Sequence, residues 1–140
     1  MTAAAELLPH ARPMLLVRRV LSHSPERTVC SVAVADSELF RAADGRVPAY
    51  VGLEYMAQCI AAHGGLLARA LGRAPSPGLL VGAKQLGLHR EWLAADESLE
   101  VSAQLLGRAG ALASFGCELR AGDELIAEGT LSVYVSEALA

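Results

Sequence analysis

Although 53% of the 140 residues are hydrophobic, no stretch approaches the ~20 consecutive apolar residues that span a bilayer. The excess is Ala, Leu and Val in short runs, which predicts a generous core rather than a membrane segment. Met1 to Leu8 carry an acidic Glu6 and no basic segment. This argues against a signal peptide and predicts a cytoplasmic chain. Cysteine is scarce and unpaired: Cys30, Cys59 and Cys117 are far apart and form no C-x-x-C. Neither a zinc site nor a redox motif is supported, and each cysteine sits in an apolar run, as a small core hydrophobe would. Net positive charge is also lacking. The formal charge of −3 gives no general pull toward nucleic acid or an anionic membrane. Patterns of the G-x-S-x-G, P-loop and G-x-G-x-x-G types are absent, so no nucleophile elbow, phosphate loop or dinucleotide fingerprint is indicated. No two histidines or carboxylates share a ligand spacing, so no metal is expected.

Repeats, linkers and low-complexity tracts are missing too, and a chain of this length builds one domain with one core. What is present is a strong helical signal. From Tyr50 to Leu71 there is no proline, and Leu, Ala, Met, Glu and Gln dominate. Gly72 supplies a stop, followed by Pro75 in the breaker-rich segment Arg73 to Gly78. Polar residues inside the helix are few: Glu54, Gln58, His63 and Arg69. A helix apolar on nearly every side must be buried on nearly every side. At 1.5 Å per residue it runs to roughly 30 Å, the width of a small domain. Gly64-Gly65 costs about 1 kcal/mol per glycine against alanine, and points to a second backbone packed closely there.

The remainder reads as strands. Met14 to Leu21 and Thr28 to Val34 flank a turn at Ser24-Pro25. Leu79 to His89, Leu99 to Leu106, Ala111 to Arg120 and Leu125 to Val135 follow the helix, with short glycine-bearing joins at Gly107 to Gly110 and Ala121 to Asp123. Two strands, a buried helix and four strands predict an α+β domain with the helix against the concave face of an antiparallel sheet. Six strands give too little cover for a helix buried all round. A homodimer, or a heterodimer with a homologous subunit, would supply the rest.

Two motifs carry a resemblance. Leu8-Pro-His-Ala-Arg-Pro-Met-Leu-Leu-Val17, followed by Arg19-Val20-Leu21, resembles LPHRYPFLLVDRV, the opening of the β-hydroxyacyl-(acyl-carrier-protein) dehydratases. Pro48-Ala-Tyr-Val-Gly-Leu-Glu54-Tyr-Met-Ala-Gln58 is similar to that family's PGVLIIEAMAQ, with the proline, glutamate, methionine, alanine and glutamine in register. The subgroup it most resembles is the dehydratase-like proteins of aryl-polyene clusters, which carry VGLEYMAQ-like segments. The resemblance implies a hot-dog fold: a long central helix wrapped by a curved antiparallel sheet, usually dimeric with sites between subunits. It also implies acyl thioesters as substrates, carried on the phosphopantetheine of an acyl carrier protein or of CoA, with no other cofactor. One departure stands out. The family precedes its helix with GHFPGxPxxPG, whose histidine is catalytic. Counting back from Pro48, that position is Phe40, and Leu39 to Pro48 contain no histidine.

The resemblance therefore carries the catalytic glutamate to Glu54 and leaves its partner open. Dehydrating a 3-hydroxyacyl thioester takes a base for the α proton, an acid for the leaving hydroxyl, and donors for the enolate-like oxygen. The helix's first-turn N–H groups near Val51 and Gly52 lack intrahelical partners and lie at the positive dipole end, where they suit a thioester carbonyl. Val51, Leu53, Tyr55 and Met56 around Glu54 predict a mostly buried carboxyl. The competing reading is a carboxylate at an exposed helix start that only favours the dipole. His10, beside the first strand, is the candidate replacement for the missing histidine, or else fixes the N-terminal segment. His63, nine positions after Glu54, faces the other side and reads as a packing residue, His89 as a surface or subunit-contact residue, and His23 as a turn residue without a role. Tyr50 and Asp44 could donate or accept near the helix start, and Phe40 would line the substrate site. Among Arg12, Arg18, Arg19, Arg41, Arg46, Lys84 and Arg90, a patch for an acidic carrier protein is expected. The runner-up functions are an acyl thioesterase, which needs no histidine, and a silent partner subunit of an active dehydratase.

Overall fold

Alternating apolar residues build the sheet of the computed structural model, which describes residues 2–8, 10–74 and 78–135. Pro9, Pro75 and Pro77 of the motifs above lie outside the described residues. Strands β1 (Thr2–Ala3), β2 (Val17–His23) and β3 (Arg27–Ala33) come first. A short β4 (Val47–Pro48) precedes helix α1 (Gly52–Ala70). Strands β5 (Gly78–Leu88), β6 (Trp92–Leu93), β7 (Ser98–Ala109), β8 (Leu112–Ala121) and β9 (Glu124–Val135) follow. The main sheet is antiparallel, in the order β1-β2-β3-β7-β8-β9-β5. It has seven strands where about six were expected, because Thr2–Ala3 adds an edge too short to show as a hydrophobic pattern.

The register explains where the core sits. Val20, Cys30, Val101, Leu119, Ala127 and Leu88 are paired in one row across six strands. The first five are buried, whereas Leu88 on the outermost strand is 44% exposed. Inward positions of β7 and β8 alternate with outward ones, as a sheet with one covered face requires. Tyr55, Met56, Cys59 and Ala62 of α1 are wholly buried against this face.

The helix is shorter than the pattern predicts. Ala49–Val51 form a tighter 3₁₀ turn that feeds α1, anchored by Ala49 N–H donating to the Glu91 carbonyl at 2.9 Å. Gly72, at φ +69°, ends the helix as expected, and Arg73 N–H closes the end on the Ala68 carbonyl. The two mid-helix glycines differ. A Cβ on Gly65 would lie 2.9 Å from the Leu7 carbonyl oxygen, so backbone does pack there, whereas Gly64 has nothing within 4 Å. The sheet leaves the helix incompletely covered: Leu53, Glu54, Ala57, Ala61 and Gly64 form a partly exposed stripe on α1. In addition β5, paired only to β9, leaves Leu79, Leu80, Val81, Leu86 and Leu88 exposed. Among the described residues no helix is long and apolar enough to cross a membrane.

Candidate active site

Gln58 organises the first turns of α1. Wholly buried, it accepts from the N–H groups of Leu16 (2.8 Å) and Val17 (3.3 Å) through Oε1. Its Nε2 donates to the Met14 carbonyl (2.7 Å) and to Glu54 Oε1 (3.1 Å). One amide thus ties the segment before β2 to the helix and orients the carboxylate one turn earlier, satisfying all its buried polar atoms.

That tie brings His10 to Glu54. His10 Nε2 lies 3.8 Å from Glu54 Oε1, with side chains 30% and 37% exposed. The separation exceeds a hydrogen bond, and an oxygen ~2.8 Å from each atom fits at the apex of the triangle they form. Glu54 is therefore half-buried rather than mostly buried: it lies on the partly exposed stripe of α1 with Leu53, Ala57 and Ala61, while Val51, Tyr55 and Met56 turn into the core. His10 Nδ1 is buried without a partner among the described residues.

Both side chains open onto a cavity of about 270 Å³ that runs along α1. Its walls are chiefly apolar, from Ala57, Ile60, Ala61, Leu67, Phe115 and Val133. His63 lines it too, which corrects its reading as a packing residue turned away from the site. Nine residues on, it does stand half a circumference from Glu54, but the cavity wraps that whole half of the helix. His63 is 2% exposed. Its Nδ1 is 2.7 Å from the Thr28 hydroxyl, which also meets His23 Nδ1 at 2.8 Å. Burial and the neighbouring His23 push its pKa down to about 4, while the Pro25 carbonyl and the Glu26 carboxylate pull the other way. His23, given no role from sequence, is thus the exposed end of a chain of polar groups that runs inward through Thr28 to His63, and partial burial of its ring lowers its pKa.

Other expected site residues lie outside this cavity. The Gly52 N–H, expected to be free for a thioester oxygen, donates to the Ala49 and Tyr50 carbonyls because the 3₁₀ turn continues into the helix. A Cβ at Gly52 would meet Leu119 Cδ2 at 2.9 Å, so its missing side chain serves helix–sheet packing rather than substrate approach. Val51 is buried, Tyr50 is 64% exposed and Phe40 packs half-buried against the core; none of the three lines the cavity. Asp44 is held by Arg46, whose backbone and side-chain N–H groups lower its pKa. His89 is exposed, 2.7 Å from Glu128. Several of the basic side chains are already engaged: Arg12 and Arg18 on Asp36, Arg41 on the Ala35 carbonyl, Arg46 on Asp44 and over Trp92, and Arg90 on Glu97 and Glu124.

A long helix in the concavity of an antiparallel sheet, with a carboxylate near the helix start, defines the hot-dog fold of dehydratases and thioesterases. The model of the ApeP-like dehydratases matches residues 2–140, and the chain belongs to that family. Among solved structures it is similar to a chain of the dehydratase heterocomplex ApeI:P of Xenorhabdus doucetiae, at 25% identity and TM-score 0.91, covering 98% of this chain and 93% of that one. The zebra fish thioesterase superfamily member 2 shares the fold at 19% identity and TM-score 0.64, covering 97% and 99%. The phenylacetic acid degradation protein PaaI of Thermus thermophilus does so at 18% and 0.61, covering 84% and 92%. No curated protein sequence matches significantly.

Proposed function

We propose that this chain catalyses, or forms half of the unit that catalyses, the dehydration of 3-hydroxyacyl thioesters in fatty-acid or polyene synthesis. The observation that carries the reading is the His10–Glu54 approach of 3.8 Å at the edge of an apolar cavity. An α proton passes to one member of the pair, the C3–O bond breaks with a proton delivered by the other, and C2=C3 forms as water leaves. The pair need hold only one proton between them, and His10 as base with Glu54 as acid returns to its starting state by moving that proton across the gap. The acyl chain would lie in the apolar cavity, its thioester on the phosphopantetheine of an acyl carrier protein or of CoA, in the cytoplasm.

A second subunit completes the assembly in this reading. The exposed Leu79, Leu80 and Val81 on the unpaired edge of β5 are what a strand-to-strand dimer would cover, and the related ApeI:P protein is a heterocomplex. That relative, with Phe40 standing outside the cavity where the wider family has its histidine, also favours a second reading: a silent subunit that supports an active homologue. Purified chain, alone and with its homologous subunit, should be given 3-hydroxyacyl and acyl thioesters. Enoyl absorbance from the chain alone supports the dehydratase. Thiol release without enoyl product makes it a thioesterase, and activity that appears only with the partner and survives Glu54→Gln makes it the silent subunit.

A further inference from the structure

Two glycines stand side by side in α1, and packing accounts for only one of them. A Cβ on Gly65 would lie against the Leu7 carbonyl, whereas a Cβ on Gly64 would meet nothing within 4 Å. Glycine inside a helix costs stability against alanine, so neither the helix nor its packing explains Gly64. What Gly64 does border is the cavity, which continues past it to Leu67, Ala68 and Leu71. Gly64 lies ten residues beyond Glu54, ~15 Å along the helix axis. An extended hydrocarbon chain advances ~1.3 Å per carbon, given a C–C bond of ~1.52 Å. A chain lying along α1 with its reacting end at Glu54 therefore draws level with Gly64 at roughly its twelfth carbon. We infer that Gly64 determines the acyl-chain length this protein accepts: its missing side chain keeps the channel open, so that longer chains pass on toward Leu67 and Leu71. This rests on the cavity being the acyl channel.

The neighbours of Gly64 show why the effect belongs to this position. Of three successive residues, His63 is held by Thr28 and Gly65 lies against Leu7, which leaves residue 64 bordering free space. Leu105, Phe115 and Val133 of the sheet supply other walls of the same cavity, so a chain that reaches this level is enclosed by apolar atoms. Each methylene buried in such a channel strengthens binding about 4-fold. A leucine at position 64 would extend into the free space, and methylenes beyond the block would gain nothing. The dependence of affinity on chain length therefore reads where the channel is closed.

Calorimetry with S-alkyl pantetheine thioethers, their alkyl chains running from about 6 to about 16 carbons so as to end on either side of Gly64, tests this on the full chain together with any subunit that copurifies. These probes can be neither dehydrated nor hydrolysed, so binding is read apart from turnover. In the parent protein, affinity should climb about 4-fold per methylene to lengths that pass Gly64. In Gly64→Leu the climb should stop there, lowering the affinity ratio of the longest probe to one about four methylenes shorter by about 10²-fold. Gly64→Ala, which favours the helix, should lower the same ratio by less. A Gly64→Leu profile parallel to the parent's overturns the inference. So does a change of oligomeric state in Gly64→Leu by light scattering, which would give the free space to a second subunit. A parent profile flat with chain length removes the acyl channel and the inference with it. A profile cut short by Gly64→Leu, with no enoyl product in the assay above, upholds the role of Gly64 while removing the dehydratase.

Discussion

Helix α1 carries two polar stations, and they are built in opposite ways. At its start, Gln58 spends its whole amide on main-chain N–H and C=O groups of residues 14–17 and on Glu54, leaving a half-exposed carboxylate beside His10. Farther along, His63 is tied by way of Thr28 to His23, with the Pro25 carbonyl also acting on its ring. The first station is open, its carboxylate facing the cavity. The second is sealed, an imidazole almost wholly out of solvent. Access lets a group exchange protons with whatever enters, whereas burial holds an imidazole in its neutral form.

The largest expected effect is at the open station. Glu54→Gln keeps size and hydrogen bonding but removes the ionisable proton, and turnover should fall ~10²–10⁴-fold. The circular dichroism and oligomeric state should remain those of the parent. His10→Ala should match that loss, and Phe40→His should change little, since Phe40 does not line the cavity. Full turnover in Glu54→Gln would break the contrast at its root.

The sealed station should announce itself through acid sensitivity. The folded protein holds the His63 pKa at about 4 against an ordinary 6.5, so between those values the unfolded chain binds a proton that the folded chain refuses. The resulting contribution is complete above pH ~6.5, is lost as pH falls toward 4, and amounts to about 3 kcal/mol. Urea unfolding at pH 7 and at pH 4.5 measures it, and His63→Gln should flatten the difference. A parent protein equally stable at both values would show that the station is not sealed.

Removing Gln58 sharpens the comparison from the other side. Gln58→Leu strands the Leu16 N–H and the Met14 carbonyl, and should cost about 2 kcal/mol in the same measurement, with activity lost as His10 drifts from Glu54. The smallest effects separate the neighbouring glycines. Gly65→Ala drives a Cβ to 2.9 Å from the Leu7 carbonyl and should destabilise by about 1 kcal/mol or more. Gly64→Ala meets nothing and should stabilise by about 1 kcal/mol through helix propensity, while narrowing the cavity that Gly64 lines.

Much of this was legible before the structure. The helix stood out because its apolar run lacks proline and ends at Gly72, and the strands because their alternation has period two. Motif register singled out Glu54 and His10, and placed Gln58 in the same motif without giving it a role. The contact of His10 with Glu54 is now visible as geometry, while its chemistry rests on the proposal. What sequence reasoning missed depends on distant or irregular backbone. The 3₁₀ turn at Ala49–Val51 occupies the Gly52 N–H, and no residue type announces that. The strand Thr2–Ala3 and the pairing of Val47 and Pro48 with Leu93 and Trp92 are too short to have a period. The Thr28–His63 contact joins residues 35 positions apart. Only the rarity of polar residues inside α1 could have hinted that His63 makes a polar contact within the core.

The close approach at Gly65 has a practical meaning. Ahead of β2 the chain touches the helix twice, with Leu7 at Gly65 and with Met14, Leu16 and Val17 at Gln58. In sequence His10 lies between these two contacts. These two contacts therefore set where His10 stands beside Glu54, and loosening either one moves His10 without touching it. Leu7→Ala, which loosens the first contact at a buried position, should cost about 2–5 kcal/mol of stability and, on the proposed reading, lower turnover as well.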